Sequence, residues 1–131
     1  MVKFHEDAIT EGCREGLEVL CQHDFMDDFY LAGGTALALQ LGHRVSTDLD
    51  WFSTINVLPE SERQAISYNL TDKANFEIVS QKDGMLYTRL KGTDVSLIHQ
   101  RHSLLEPTVA YNGLNLASPI DIGLMKIAAV N

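Results

Sequence analysis

The sequence predicts a single domain of the α/β class, in the broad sense that includes α+β folds. Three observations predict it: the chain has 131 residues, 45% of them are apolar, and segments with helical and strand periodicity alternate along it. With 21% charged residues and only 3 prolines, the composition excludes a disordered chain. We expect one domain over residues 1–131.

The N-terminal half is predicted to alternate helices and strands. Apolar residues recur at three- and four-residue steps from Ala8 to Cys21, which is typical of an amphipathic helix. In order, the further predictions are a buried strand at 29–32, a short helix at 35–41, a strand at 48–52 and a helix from Pro59 to about Leu70. Alternation along 48–52 places Asp48 and Asp50 on one face of its strand.

The C-terminal half is predicted to be mainly β, with a helix at its end. Strands at 76–80, 85–91 and 95–99 are spaced as an antiparallel meander. Asn112-Gly113 is a strong turn signal between two further short strands. Ser118, Pro119 and Asp121 suit the N-cap, first and third positions of a last helix.

Charge and hydropathy exclude two broad classes. The chain carries 10 Lys and Arg against 18 Asp and Glu, a formal charge of -8, which disfavours general coating of nucleic acid. No apolar stretch approaches the roughly 18 to 20 residues that cross a bilayer, and the N-terminus lacks the apolar core of a signal peptide. We therefore expect a cytoplasmic protein with no membrane contact.

The cysteines and histidines do not indicate a structural zinc site. Cys13 and Cys21 are about 12 Å apart if they share one helix, too far for a disulfide, so both are predicted to be reduced core thiols. No Cys-x-x-Cys pair is present, and the 5 histidines are scattered.

Two short motifs are candidates for chemistry, and each has a plain structural alternative. Gly33-Gly34 lies where a strand passes into a helix, so its amides suit a phosphate, although a tight turn needs glycine in any case. Asp48 and Asp50 are about 6.6 Å apart along a strand and suit a hard divalent cation. On an exposed edge strand, the same pattern would be only half-buried alternation.

Together, the two motifs indicate a site that binds a nucleoside triphosphate. Glycine amides, hydroxyls and an arginine would hold phosphates, while the carboxylates would hold metal against them. The residues assigned to the phosphates are Gly33, Gly34, Thr35, Arg44 and Ser46, and those assigned to the metal are Asp48 and Asp50.

The segments YLAGGTALAL at residues 30–39 and GHRVSTDLDWF at residues 42–52 resemble the AbiEii/AbiGii toxin family of nucleotidyltransferases, within the polymerase-beta-like superfamily. The resemblance implies a nucleotidyltransferase fold, a small mixed sheet with helices packed mainly on one side. It implies transfer of a nucleotide from a nucleoside triphosphate, with Mg2+ or Mn2+, to an acceptor such as RNA or tRNA. It also implies a toxin paired with an antitoxin protein in a bacterial toxin-antitoxin or phage-defence system.

The resemblance assigns two further positions. SPIDIGLMK at residues 118–126 is similar to the family's helix that carries a catalytic lysine, here Lys126. The third metal-binding carboxylate of the superfamily would fall within GTDVSLI at residues 92–98, where Ser96 aligns with the acid. Asp94 lies on the same strand face and is the candidate replacement for that metal ligand.

The departure at Ser96 leaves a second function open. A catalytically degenerate module of the same fold would bind nucleotide, or only a protein partner, without turnover. Relatives continue beyond the lysine helix, and that helix has no glycine C-cap before Asn131, so we expect the domain to lack the family's C-terminal helical part.

Overall fold

The computed structural model describes residues 3–71 and 75–130. The helices are α1 (Glu11–Leu20), α2 (Gly33–Leu41), α3 (Glu60–Thr71) and α4 (Pro119–Val130). The strands are β1 (Tyr30–Ala32), β2 (Leu49–Ser53), β3 (Glu77–Lys82), β4 (Met85–Leu90), β5 (Thr93–His99), β6 (Val109–Tyr111) and β7 (Leu114–Leu116). Short 3-10 helices at Glu6–Ala8 and Asp24–Asp28 precede α1 and β1. The predicted order of elements and the α/β class are confirmed.

The described strands form one mixed sheet in the order β3-β4-β5-β2-β1-β7-β6. The predicted antiparallel meander β3-β4-β5 and hairpin β6-β7 are both present. Two parallel pairings, β2 with β5 and β1 with β7, join these units to the centre of the sheet. The expected mixed sheet is therefore confirmed, and β2 lies at its middle.

One face of the sheet carries the core, and the second face is buried at β1, where Tyr30 and Ala32 are 6% and 1% exposed. Leu31, Trp51, Leu97 and Leu86 are in register across four strands, and each is 0% exposed. These side chains belong to one core cluster with residues of α1, α2 and α3. The neighbouring row, which contains Asp50, Ser96 and Tyr87, points to the opposite face. At β2, β5 and β4 this second face carries polar side chains.

The start of α4 confirms the predicted cap. The Ser118 hydroxyl accepts a 3.1 Å hydrogen bond from the backbone N–H of Asp121 and donates to the Asp121 carboxylate at 3.1 Å. The same carboxylate accepts from the N–H groups of Leu105 and Glu106 at 2.8 and 3.0 Å. Burial alone would raise the pKa of Asp121, but these donors hold it below its usual value. Asp121 thus ties the loop before β6 to α4.

The prediction of two core thiols is wrong for one cysteine. Cys13 is fully buried in α1, and burial raises the pKa of its thiol. Cys21 is exposed, one residue after the end of α1. Eight residues at about 100° each turn the helix through two turns and a further 80°, so Cys21 does not share the buried face of Cys13. Both are free thiols, as predicted.

Within the described residues, no helix is long and apolar enough to span a membrane.

Candidate active site

The acidic pair lies at the start of the central strand, between two clefts. Asp50 is the second residue of β2 and is half-buried, whereas Asp48 just precedes the strand and is exposed. Both line a cleft of 210 Å³ on the side of α2 and a second cleft of 280 Å³ on the side of β4 and β5. A ligand in either cleft meets the two carboxylates.

The environment of Asp50 makes ionisation of its carboxyl less favourable than in water. Burial raises the pKa of this carboxyl above its usual value, and the negative charges of Asp48 and Asp94 raise it further. The hydrogen bond from Ser96 opposes this shift, because it stabilises the carboxylate. A bound cation would relieve both the burial cost and the repulsion.

The glycine turn lies directly against this carboxylate. Gly33 opens α2 with φ of 66°, and a Cβ at this position would stand 2.7 Å from Oδ2 of Asp50. Antiparallel pairing of Ala32 with Asp50 produces this approach. No side chain of the described residues caps the amides at the start of α2, so they are available to an anion. The turn and the acids, separate motifs in the sequence, form one site.

Arg44 and Ser46 close the α2 side of the site. A Cβ at Gly34 would lie 2.8 Å from Nη2 of Arg44 and 3.4 Å from Oγ of Ser46. Both residues line the 210 Å³ cleft with Asp48 and Asp50. Arg44 forms no salt bridge with any described residue. Its guanidinium is therefore available to phosphate oxygens beside the carboxylates.

Thr35 has a structural contact that its sequence position did not indicate. Its side chain is 1% exposed, and its hydroxyl hydrogen-bonds to the Ser46 hydroxyl at 2.6 Å and to the carbonyl oxygen of Asp48. Thr35 does not line the cleft between Gly34 and the acids. The structure therefore uses Thr35 to hold the loop 44–48 against α2, and its assignment to phosphate stays a prediction.

Ser96 occupies the position beside Asp50 on the neighbouring strand. The parallel pairing of β2 with β5 places the two residues in register, and Oγ of Ser96 lies 2.9 Å from Oδ1 of Asp50. Asp94, two residues earlier, lines the 280 Å³ cleft but is bound to Nε of Arg89 at 3.0 Å. Among the described residues, no group of three or more His, Cys, Asp or Glu side chains is arranged to hold a metal ion. The metal role of Asp94 stays a prediction.

The cleft on the β4 side contains residues that sequence reasoning missed. Tyr87 is in register with Ser96, and Arg89 bridges Asp94 and Glu77 at 3.0 Å each. The sequence predicted a strand over 85–91, but the register that brings Tyr87 and Arg89 to the side of Asp50 had no sequence signal.

Lys126 is exposed on α4 and does not line either cleft beside the acidic pair. α4 packs against α2, the helix that begins at the glycine turn. The predicted approach of Lys126 to the nucleotide stays a prediction.

The chain matches the AbiEii family, nucleotidyl transferase toxins of type IV toxin-antitoxin systems, over residues 17–120. The chain belongs to this family. An uncharacterized protein of Aquifex aeolicus is 35% identical over 121 residues, which cover 89% of this chain and 57% of that protein. The chain therefore spans little more than half the length of this relative.

Solved structures show the same fold at low sequence identity. JHP933 from Helicobacter pylori superposes with a TM-score of 0.56 at 16% identity, over 92% of this chain and 58% of that one. ANT(2")-Ia, solved in complex with adenylyl-2"-tobramycin, gives a TM-score of 0.59 at 14% identity, over 93% of this chain and 79% of that one. These similarities confirm the nucleotidyltransferase fold expected of an AbiEii member.

Proposed function

We propose that this chain binds a nucleoside triphosphate with Mg2+ or Mn2+ and transfers a nucleotide to an acceptor hydroxyl. The observation that carries the proposal is the contact of Gly33 with Asp50, because it joins the uncapped amides of α2 to the acidic pair. An anion site beside a cation site is what a metal-bound triphosphate requires.

The donor set fits a hard divalent cation. Carboxylate oxygens of Asp48 and Asp50 are the ligands that Mg2+ prefers, and substrate phosphates would complete its coordination. When bound, the cation would supply charge neutralisation at the phosphates. The charge of Asp48 raises the pKa of the Asp50 carboxyl, so the two carboxylates repel each other and a bound cation would relieve that repulsion.

The remaining residues would bind and orient the triphosphate. On the α2 side of the site lie the amides of Gly33 and Gly34 and the guanidinium of Arg44. The hydroxyls of Thr35 and Ser46 hydrogen-bond to each other and hold the loop 44–48 in place. In the transfer, the acceptor oxygen forms a bond to the α-phosphorus while the bond to pyrophosphate breaks, and the hydroxyl proton passes to a base. The 280 Å³ cleft beside Tyr87 is the proposed side of acceptor entry.

A second candidate is nucleotide binding without turnover, and Ser96 favours it. A serine beside Asp50 carries no negative charge that could bind a second metal ion. Asp94 already forms a salt bridge with Arg89. Such a chain would retain the triphosphate side of the site and lack a base for the acceptor.

The proposed biological role is that of a cytoplasmic toxin. This proposal is supported by family membership and not by a feature of the site. Type IV toxin-antitoxin membership of the family supports an antitoxin partner, and RNA or tRNA is the proposed acceptor class. Because the chain carries a formal charge of -8, individual basic residues would have to contact an RNA acceptor, and we propose Arg44, which lines the site, and Lys126 of α4 for this role.

Incorporation of labelled nucleotide from each triphosphate into RNA, with and without Mg2+ or Mn2+, tests transfer. Asp48→Asn and Asp50→Asn should each abolish metal-dependent incorporation, and the exposed α3 residue Glu62 provides the matched control Glu62→Gln. Activity that survives either aspartate variant would contradict the assigned metal role. Triphosphate binding by calorimetry without incorporation would support the second candidate.

A further inference from the structure

Arg89 lies between two acidic residues in one row of the sheet. Strand register pairs it with Asp94 of β5 on one side and with Glu77 of β3 on the other. Its guanidinium binds both, through Nε to Asp94 and through Nη1 to Glu77, each at 3.0 Å. A single exposed ion pair stabilises little, but here two acids on neighbouring strands hold the same guanidinium. The Asp94 carboxylate therefore already has a cation beside it.

This ion-paired row borders the acidic pair of the candidate active site. Arg89 and Asp94 line the 280 Å³ cleft together with Asp48 and Asp50. The negative charge of Asp94 contributes to the raised pKa of the Asp50 carboxyl, so the two groups interact across the cleft. Among its lining residues, the cleft thus combines three carboxylates with one guanidinium, which is bound to one of them.

The two oxygens of Asp50 face different sides of the site. Oδ2 lies at the glycine turn, 2.7 Å from a Cβ built on Gly33, whereas Oδ1 accepts the 2.9 Å hydrogen bond from Ser96. Two-metal centres hold their ions about 3.5 to 4 Å apart, so a second ion would need further anionic oxygens on the β5 side. The residue there is a neutral serine, and Asp94 is about 6.6 Å farther along β5.

We propose that this centre binds one divalent cation and that the guanidinium of Arg89 neutralises the charge that a second cation would otherwise neutralise. The inference rests on the proposed function and refines its metal requirement. Arg89 is a positioning residue that acts through Asp94: it keeps this carboxylate from coordinating metal and leaves Asp48 and Asp50 as the protein ligands. The predicted metal role of Asp94 then applies only to a chain without Arg89.

The number of Mn2+ ions bound per chain tests this, measured on the 131-residue chain with inorganic tripolyphosphate. Ultrafiltration separates ions held by the chain from ions that are free or bound to free tripolyphosphate. EPR of the retained fraction shows whether two bound ions are spin-coupled and therefore close together. An acidic surface also binds Mn2+, so ions that remain when Asp50→Asn is added to each protein are subtracted.

The wild-type chain should bind one Mn2+ at the site. Asp94→Asn should leave this number at one, because Asp94 is not a ligand while Arg89 holds it. Arg89→Met should raise it to two spin-coupled ions, and adding Asp94→Asn to Arg89→Met should return it to one. Arg14→Met is the matched control, since Arg14 has a similarly exposed side chain, 40% against 45%, and is paired with Glu11 outside the cleft. It should leave the number at one.

Two ions in the wild-type chain, or a lower number in Asp94→Asn, would overturn the inference and leave the proposed function standing, because Asp94 would then bind metal in the presence of Arg89. A single ion in folded Arg89→Met, checked by its thermal melt, would also overturn it. A wild-type chain with no ion at the site would overturn the proposed function and this inference together.

Discussion

The hydroxyl of Ser96 donates a 2.9 Å hydrogen bond to Oδ1 of Asp50, across the parallel pairing of the two central strands. The bond holds one Asp50 oxygen, while Oδ2 faces the glycine turn. A neutral donor beside Asp50 stabilises its carboxylate, whereas an acid at the same position would repel it. With Ser96 in place of an acid, the site carries one negative charge fewer. The hydrogen bond also fixes the orientation of the Asp50 carboxylate.

Exchanging Ser96 for an acid should make the thermal stability of the protein depend on bound metal. Ser96→Asp places a second carboxylate beside Asp50, so we expect the melting temperature to fall by about 4 °C without metal, for a loss of about 1 kcal/mol. Mn2+ should reverse most of that loss. Thermal melts with EDTA and with Mn2+ provide the measurement, and Ser96→Ala, which adds no charge, should show no metal-dependent rescue. A melting temperature of Ser96→Asp that ignores Mn2+ would count against convergence of these residues on a cation.

The raised pKa of Asp50 predicts a pH-dependent stability. A carboxyl whose folded pKa lies above its unfolded value stabilises the fold below the unfolded pKa, and this contribution is lost as pH rises through the folded pKa. Asp50→Asn cannot ionise, so without metal it should gain stability relative to wild type as pH rises above about 4, the ordinary pKa of an aspartate. Urea unfolding at several pH values in EDTA measures the difference. Equal stabilities of the two proteins across that range would refute the prediction.

Gly33 should be needed for both stability and binding. Gly33→Ala forces a side chain into a left-handed conformation, at about 1 to 2 kcal/mol, and places Cβ against Asp50. We expect a lower melting temperature and loss of tripolyphosphate binding in calorimetry. Gly113→Ala is the matched control, since Gly113 has φ of 82° but open space around a Cβ. It should be destabilised to a similar degree and bind normally, and equal binding by both variants would argue against Gly33 as part of the anion site.

Asp121 should stabilise the fold without taking part in chemistry. Its carboxylate accepts from two loop amides and the Ser118 hydroxyl, so Asp121→Ala should cost about 2 to 3 kcal/mol in urea unfolding at pH 7. Because the folded pKa is lowered, this stability is present above the unfolded pKa and is lost as pH falls through the folded pKa. The difference between wild type and Asp121→Ala should therefore shrink below about pH 4. A difference independent of pH would mean that the ionised carboxylate is not the stabilising group.

Local sequence patterns predicted the helices, the strands and the two glycine and aspartate motifs. Periodicity, turn residues and caps depend on residues a few positions apart, so the helices, the meander and the Ser118 cap followed from the sequence. The Gly-Gly turn and the Asp-x-Asp pair were recognised in the same way. The resemblance to a known family added the expectation that Ser96 would stand beside the acidic pair.

The tertiary structure decided how these pieces meet. Pairing β2 with β5 joins residues 46 positions apart, and a slip of one residue would have turned Ser96 to the face that carries the core. The register of β4 on β5 brought Tyr87 and Arg89 to the cleft, and the register of β1 on β2 set Ala32 beside Asp50. The sequence by itself determined which residues are suited to phosphate and metal, because that depends on side-chain chemistry and local spacing. Only the structure placed them together, because strand register depends on packing between distant segments of the chain.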